Sequence, residues 1–409
     1  MSRPRLRRTL HAALAPLRGD GRGWVLLTVA VGWLFTLGLR FLVPTLLPQV
    51  KVTFGLDNAA AGFAVTVIWG CYALMQFPAG LLADRLGERT VLAASLAVSA
   101  ASIALLAAAP LFVVFLLAAA AFGVGSGLYG PARGTSLSKA FPSNDGAAFG
   151  VTLAAGSVGS AVIPLVAGAA VGALGWRLLV GGTVPAFVAV AALAWTTLPD
   201  PIDAAARTDG GAAAPPVRTV IRSLPRALRD RNVLLAGLGV MFYLFAFQGL
   251  TAFLPTYLVT SEGIGQGVAG PIFALLFVGG AASQLGIGSA ADRYGARVVL
   301  VAVAGLGVVT LLAVPVVDGR LAWAVLVFLL GTRMAIAPVA NAYIVARLPA
   351  DVQGAVWGFL RTCLFLVGST GSLFVGAMAD AGRFDAAFLV LGGVTAVAVV
   401  CYAGLAPEA

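Results

Sequence analysis

The sequence predicts an all-α membrane protein in which about twelve transmembrane helices form two pseudo-symmetric six-helix bundles. Three observations predict this fold class: a strongly apolar composition, long continuous apolar stretches, and an internal repeat. Of the 409 residues, 60% are hydrophobic and only 10% are charged, and the mean hydropathy is +1.00. A soluble globular domain has roughly 25% charged residues. We therefore expect lipid to solvate most of this chain.

The apolar stretches are each long enough to cross about 30 Å of hydrocarbon as a helix. They are continuous rather than alternating, which favours helices over the strands of a closed barrel. The predicted spans are residues 24–48, 59–80, 91–109, 111–132, 147–169, 178–198, 233–258, 268–289, 297–316, 321–345, 355–378 and 385–406.

Charged and turn-forming residues divide the chain into four predicted regions. These are a basic cytoplasmic tail (1–23), an N-terminal six-helix bundle (24–198), a cytoplasmic linker (199–231) and a C-terminal six-helix bundle (232–409). With the tail inside, 19 lysines and arginines fall in the inner segments and 4 in the outer loops. This bias predicts a multi-pass protein of the plasma or inner membrane with both termini in the cytoplasm. The net charge of +10 then reflects topology and attraction to anionic lipid, and no nucleic acid partner is expected.

The internal repeat is a ten-residue segment, GLLADRLGER at 80–89, which recurs as GSAADRYGAR at 288–297 with six identical positions. It resembles the G-x-x-x-D-R-x-G-x-R signature of the major facilitator superfamily, found after the second helix of each half. The resemblance covers nearly the whole chain and implies alternating access between two bundles. It also implies a cytoplasmic gate built from Gly80, Asp84, Arg85, Gly87, Arg89, Gly288, Asp292, Arg293, Gly295 and Arg297. The first glycine of each copy permits close helix approach, and the second permits a sharp turn.

Three arginines lie inside predicted spans, at positions 40, 333 and 361, whereas every Asp and Glu falls in a loop, a tail or a helix end. A charge in the membrane costs at least roughly 2.5–3.5 kcal/mol, so it usually faces a cavity and has a partner. Guanidinium matches the planar oxygens of carboxylate, phosphate or nitrate. The predicted substrate site comprises Arg40, Arg333, Arg361, Tyr72, Tyr243, Gln248 and Asn341.

Several residue-level alternatives stay open. The tyrosines and Gln248 fit helix packing equally well, and Arg361 is close enough to the cytoplasm to reach it. Arg40 could extend outward to the membrane surface or bond a carbonyl group freed near Pro44, and Arg133 is expected at the membrane interface. The only histidine is His11, in the tail, and the three cysteines have no paired spacing, so no metal site or other cofactor is expected.

These observations predict a secondary transporter of a small organic anion, with a carboxylate as the favoured class. A coupling proton or counter-anion is left open, and a monomer in the lipid bilayer is expected. Two other functions remain: proton-coupled efflux of drugs or other hydrophobic compounds, and a non-transporting membrane receptor. An enzyme is disfavoured, because the spans contain no nucleophile–base pair and no paired carboxylates.

Overall fold

The computed structural model describes residues 22–199, 226, 229–349 and 353–406. Within these ranges, twelve helices are long and apolar enough to cross a membrane and no strand occurs, which confirms the predicted fold class. The helices are α1 (Arg22–Phe54), α2 (Asn58–Leu86), α3 (Glu88–Ala108), α4 (Phe112–Ala140), α5 (Asp145–Leu174), α6 (Trp176–Thr197), α7 (Arg231–Thr260), α8 (Gln266–Tyr294), α9 (Ala296–Val316), α10 (Arg320–Val345), α11 (Gln353–Asp380) and α12 (Phe384–Ala403). The four predicted regions stay a prediction, since residues 1–21 and most of 199–231 lie outside the described residues.

Most helices extend beyond the predicted spans. Helix α4 has 29 residues and continues to Ala140, so Arg133 and Lys139, predicted to follow it, lie inside it. Lys51, predicted in an outer loop, lies in the last turn of α1. With 29 residues, α4 spans about 43 Å, whereas the hydrocarbon core of a bilayer is about 30 Å thick. The helix therefore continues into the interfacial region, where charged side chains are tolerated, after its apolar run has ended.

The two bundles repeat the same backbone contacts. In the first bundle, a Cβ added to Gly123 of α4 would lie 2.5 Å from the carbonyl oxygen of Ile68 in α2. In the second, a Cβ on Gly331 of α10 would lie 1.9 Å from the carbonyl oxygen of Leu276 in α8. Both pairs are related by 208 positions, as the two motif copies are. Glycine is needed here because any side chain would displace the neighbouring backbone.

A second backbone contact also occurs in both bundles, but its residues are related by a different sequence offset. Gly159 of α5 packs against the carbonyl oxygen of Leu34 in α1, and Gly371 of α11 packs against that of Phe245 in α7. The residues are related by 212 and 211 positions. Because both helices of the pair are shifted by nearly the same amount, the contact is preserved although the sequences are out of step with the rest of the repeat.

The bundles meet mainly through α2 against α11 and α5 against α8. We call the end of the molecule with Asp84 and Asp292 the motif side, and the end with Asn58 and Asp380 the far side. On the far side α5 and α8 touch backbone to backbone, since a Cβ on Gly168 would lie 2.7 Å from the Cα of Gly270. The far side is therefore closed at this pair of helices.

Asp380, at the end of α11, closes the far side by binding the first turn of α2 in the other bundle. Its carboxylate accepts hydrogen bonds from the backbone N–H groups of Asn58, at 2.8 Å, and Ala59, at 2.7 Å. The Asn58 side-chain amide donates a third bond, at 2.8 Å. Lys51 donates to the side-chain oxygen of Asn58 and adds a positive charge nearby. A carboxylate at a helix N-terminus is favoured by both the free N–H groups and the helix dipole.

The motif side is open by comparison. Asp84 and Asp292 are both exposed. Five glycines near this side have no atom of another described residue within 4 Å of an added Cβ: Gly80, Gly146, Gly150, Gly288 and Gly354. The structure is therefore a state with its far side closed and its motif side open.

Candidate functional site

Arg40 lies in the middle of α1 and is 1% exposed. Its Nε donates a long hydrogen bond, 3.4 Å, to the backbone oxygen of Thr36, and its Nη2 has no hydrogen-bond partner in the part of the chain that the structure describes. The Cζ atom lies 4.1 Å from the ring centre of Tyr72, 4.9 Å from Trp69 and 5.2 Å from Trp33. Aromatic rings thus surround this guanidinium and stabilise its charge without providing a counter-ion.

Arg133 of α4 faces the same region. Its Cζ lies 4.4 Å from the ring centre of Trp33, so one indole contacts both arginines of the first bundle. The residue is half-buried, and its buried Nε and Nη1 atoms have no hydrogen-bond partner among the described residues. Arg133 was expected at the membrane interface; its side chain packs inward, against Trp33 of the N-terminal bundle.

Arg361 of α11 brings a third guanidinium from the other bundle. It is half-buried, its Nε has no hydrogen-bond partner, and its Cζ lies 5.5 Å from the ring centre of Phe365. Phe365 in turn packs against Tyr72 of α2, with ring centres 5.7 Å apart. The charges of Arg40, Arg133 and Arg361 all act on the Tyr72 hydroxyl group. We call these three arginines the arginine cluster.

The arginine cluster has no acidic partner in the described part of the chain. The groups that act electrostatically on Arg40 and Arg133 are tyrosines and other arginines. Arg361 itself acts on both as a like charge. Aromatic rings cover faces of the guanidinium groups, and Arg40 also bonds the Thr36 backbone oxygen and the Tyr72 hydroxyl. The N–H groups that lack an acceptor among the described residues (Nη2 of Arg40, Nε and Nη1 of Arg133, Nε of Arg361) suit planar acceptors. The cluster is therefore a positively charged, acid-free site between the two bundles.

Arg333 of α10 is not part of this cluster. It is fully buried, its Nη2 donates to the Thr395 hydroxyl of α12 at 3.2 Å, and its Cζ lies 5.7 Å from the ring centre of Tyr243 in α7. Its Nε and Nη1 have no hydrogen-bond partner. The contacts recorded for it all belong to the C-terminal bundle. The structure thus separates Arg333 and Tyr243 from Arg40, Arg361 and Tyr72.

The remaining predicted site residues are dispersed. Gln248 of α7 is buried with its side-chain oxygen unpaired. Asn341 is half-buried, whereas Arg333 is fully buried, although a spacing of eight predicts one shared face. The segment Thr332–Ala335 is 3-10 helix, which rotates faster than an α-helix and turns the following residues to a different face. The expected alignment of these two residues on one cavity stays a prediction.

The motif residues show the expected turn geometry. Gly87 and Gly295 have φ angles of +80° and +82°, as a sharp turn between helices requires. Arg89 packs on Trp195 of its own bundle, with its Cζ 4.4 Å from the ring centre. Asp84 is exposed, as are Arg85, Asp292 and Arg293, while Arg297 is half-buried. The close helix approach expected at Gly80 and Gly288 is not seen in this state, because the motif side is open.

A cavity of about 1200 Å³ lies at the motif side of the C-terminal bundle. Its lining includes Asp292, Arg293, Arg297, Tyr343 and Arg347. The residues that line it belong to the C-terminal bundle, in α8, α9, α10 and α12 or next to their ends, so this cavity does not join the two bundles. The arginine cluster, in contrast, draws on both.

Arg133 is the functional residue that sequence reasoning missed. It follows Tyr129 by four positions, which places both on one face of α4. Tyr129 stacks on Trp33, with ring centres 6.1 Å apart. This spacing was the available signal, but it required α4 to continue past Pro131.

Comparisons with known proteins agree with this architecture. A family model described as Major Facilitator Superfamily matches residues 28–372 and 263–409. A bacterial homologue of the human lysosomal transporter Spinster, solved in an inward-facing and unoccupied conformation, is 16% identical with a TM-score of 0.76. The alignment covers 94% of this chain and 96% of that chain. The nucleoside transporter NupG is 15% identical with a TM-score of 0.78, over 93% and 98% of the two chains. At these identities the likeness shows the fold alone.

Proposed function

The chain belongs to the major facilitator superfamily, and on this premise we propose that it moves small organic anions, carboxylates in particular, across the membrane by alternating access. It is a multi-pass membrane protein of a transporter family. The anion specificity is the part that rests on the site. The observation that carries it is the convergence of Arg40, Arg133 and Arg361 with no acidic partner among the described residues.

The electrostatics of the arginine cluster favour an anionic ligand. At an effective dielectric constant of about 20, a carboxylate about 4 Å from one guanidinium gains about 4 kcal/mol of Coulomb attraction. A ligand among three guanidinium groups gains more, and it also fills N–H groups that otherwise lack acceptors. A lipophilic cation meets positive charge in the same place and is repelled, which disfavours drug efflux.

The division of the site between bundles suits alternating access. Arg40 and Arg133 belong to the N-terminal bundle and Arg361 to the C-terminal bundle, so one anion can contact both. We take the motif side as cytoplasmic from the distribution of basic residues, with both termini inside and the protein in the plasma or inner membrane. In this assignment the structure is open to the cytoplasm. The motif residues, such as Asp84 and Asp292, would form the gate when this side closes.

The binding test is a thermal-shift measurement on purified protein with sodium acetate, benzoate, succinate, citrate, sulfate and phosphate at matched ionic strength. Wild type is expected to be stabilised by at least one carboxylate, with a saturating concentration dependence. Arg40→Gln and Arg361→Gln are expected to lose that stabilisation.

Arg333→Gln is the matched control, because it removes an equally buried guanidinium from one bundle only. It is expected to keep the stabilisation. Loss in Arg333→Gln with retention in the two cluster variants would overturn the assignment of the site and favour the sequence prediction for Arg333. No stabilisation by any anion in wild type would overturn the anion proposal.

Transport itself is tested in proteoliposomes with the radiolabelled form of the anion that binds best. Counterflow into vesicles preloaded with the unlabelled anion is expected for wild type and not for Arg40→Gln. Tetraphenylphosphonium, a lipophilic cation, serves as the comparison compound. Accumulation of this cation without anion counterflow would contradict the proposal, and binding without any counterflow would favour a receptor.

A further inference from the structure

We infer that the arginine cluster takes an anion with two or more negative charges and that the protein exchanges one such anion for another, because the empty carrier cannot readily close its motif side. This inference rests on the proposed function and adds two things to it. It names the charge class of the substrate, and it selects exchange over uniport.

The charge class follows from the number of guanidinium groups. Each of the three arginines contributes one positive charge, because a guanidinium group is cationic in proteins. In the described part of the chain, none of the groups recorded as acting on Arg40 or Arg133 is a carboxylate. A monoanion would leave two positive charges uncompensated in a partly buried site. A dianion, with a pair of planar acceptor groups, compensates more of the charge and can bond the edges of several guanidinium groups at once.

The three charges are divided between the two moving parts. Arg361 is the contribution of α11, whereas Arg40 and Arg133 belong to α1 and α4. Three residues before Arg361, a Cβ on Gly358 would lie 3.7 Å from Phe77 of α2. This contact and Arg361 share one helix face, since residues three apart are neighbours on a helix. Arg361 thus lies beside the contact between the bundles and close to the open motif side.

Closure of the motif side changes the surroundings of these charges. In the open state Arg133 and Arg361 are half-buried, so water reaches part of each side chain, although the Nε atoms of both and Nη1 of Arg133 are buried. Closing the cleft brings Arg361 towards Arg40 and Arg133 and removes that water, which strengthens the repulsion between like charges. A bound dianion turns the same movement into an attractive one, because it lies between positive groups of both bundles. Occupied carriers therefore close and empty carriers do not, which is the property of an exchanger.

Repulsion among the three arginines predicts a large difference between the rate of anion exchange and the rate of net anion efflux. We expect exchange to be on the order of 100-fold faster than net efflux. This ratio requires the bound anion to favour closure of the motif side by two factors of ten relative to the empty carrier. The measurement uses proteoliposomes loaded with [14C]succinate and diluted either into succinate or into isethionate of equal ionic strength. Valinomycin with equal potassium on both sides clamps the membrane potential, so that charge accumulation does not limit the net flux.

Arg361→Gln is the decisive variant, because it removes the only cluster charge on the C-terminal bundle. It is expected to bind succinate more weakly, to release it into isethionate faster than wild type, and to reduce the ratio of the two fluxes to below about tenfold. Arg361→Lys keeps the charge and is expected to keep the ratio high. Arg320→Gln, which removes an exposed charge from the same bundle on the far side, is the matched control and is expected to behave as wild type.

The outcomes separate this inference from the proposed function. Net efflux as fast as exchange in wild type would overturn the exchanger, although anion transport would stand. Acetate binding as tightly as succinate would overturn the charge class. Binding and transport of no anion at all would instead overturn the proposed function. If Arg361→Gln fails to fold, as judged by gel filtration, the wild-type flux ratio and the lysine variant still decide the question.

Discussion

Removal of the Asp380 carboxylate is expected to loosen the far side and to shift the protein towards states that are open there. Asp380 accepts three hydrogen bonds from the first turn of α2, and all three join one bundle to the other. They exist only while the far side is closed, so Asp380→Ala removes stabilisation from this state alone. The variant therefore tests whether the cap of α2 holds the far side shut.

The magnitude follows from the contacts. Loss of a helix-capping carboxylate typically costs about 0.5–2 kcal/mol, and hydrogen bonds to a charged group contribute about 1.5–3 kcal/mol each when well shielded. Asp380 is exposed, so we take about 1–2 kcal/mol in total. This corresponds to a factor of about 5–30 in the ratio of the two states. A far-side-open population of about 1% would rise to between about 5% and 25%.

The assay is a pulsed electron paramagnetic resonance distance between spin labels on the far side, one in each bundle. Cysteines at Val52 of α1, which is 85% exposed, and at Ser261, next to the end of α7, provide the labels. The native cysteines are first replaced by alanine. Asp380→Ala is expected to add a longer distance to the distribution.

Asp385→Ala provides the matched control on the same side of the molecule. Asp385 accepts a hydrogen bond of 2.6 Å from the Tyr257 hydroxyl, and both residues belong to the C-terminal bundle. Its loss should lower the thermal stability without changing the distance between bundles. Identical distance distributions for Asp380→Ala and the parent protein would refute the reasoning, as would an equal shift in Asp385→Ala.

Three further predictions test other parts of the structure. Gly331→Ala places a Cβ against the Leu276 carbonyl oxygen and should cost about 1–3 kcal/mol of stability, whereas Gly305→Ala, with no neighbour within 4 Å among the described residues, should be neutral or slightly stabilising; equal melting temperatures would contradict this. Arg333→Met removes a buried guanidinium with two unpaired nitrogen atoms and should leave stability unchanged or raise it by up to about 4 kcal/mol, so a marked fall in melting temperature would indicate a bound counter-ion. Asp84→Asn should not change the melting temperature, because the carboxylate is exposed in this state, but should slow anion counterflow if the motif closes the cleft; unchanged flux would argue against the gate.

The sequence predicted the fold and two of the three cluster residues for a physical reason. Arg40 and Arg361 stand out because a charge within an apolar run is costly and must have a use. Arg133 does not, since it follows Pro131 at the end of an apolar run, where a basic residue normally marks the interface. Arg133 lies within the helix because α4 continues for another two turns. That continuation depends on packing and not on local composition.

The partners of the buried arginines could not be predicted from spacing alone. Arg333 was grouped with Arg40 because both are charges inside predicted spans without an acidic partner there. The direction of a side chain depends on the rotation of its helix, and the 3-10 segment at Thr332–Ala335 changes that rotation locally. Tyr72 could be placed on a face of α2, but its contact with Phe365 of α11 belongs to the packing between bundles. Contacts of that kind also depend on which conformational state is populated.

The close packing of Gly159 on Leu34 makes α1 and α5 one mechanical element. Backbone contacts this tight leave no room for sliding, so the two helices tilt together. Arg40 lies six residues beyond Leu34 on the first of them, and Gly168, which touches α8 on the far side, lies nine residues beyond Gly159 on the second. A separation of α5 from α8 therefore moves the buried guanidinium of Arg40 at the same time. The position of the Arg40 charge therefore depends directly on whether the contact between α5 and α8 on the far side is open or closed.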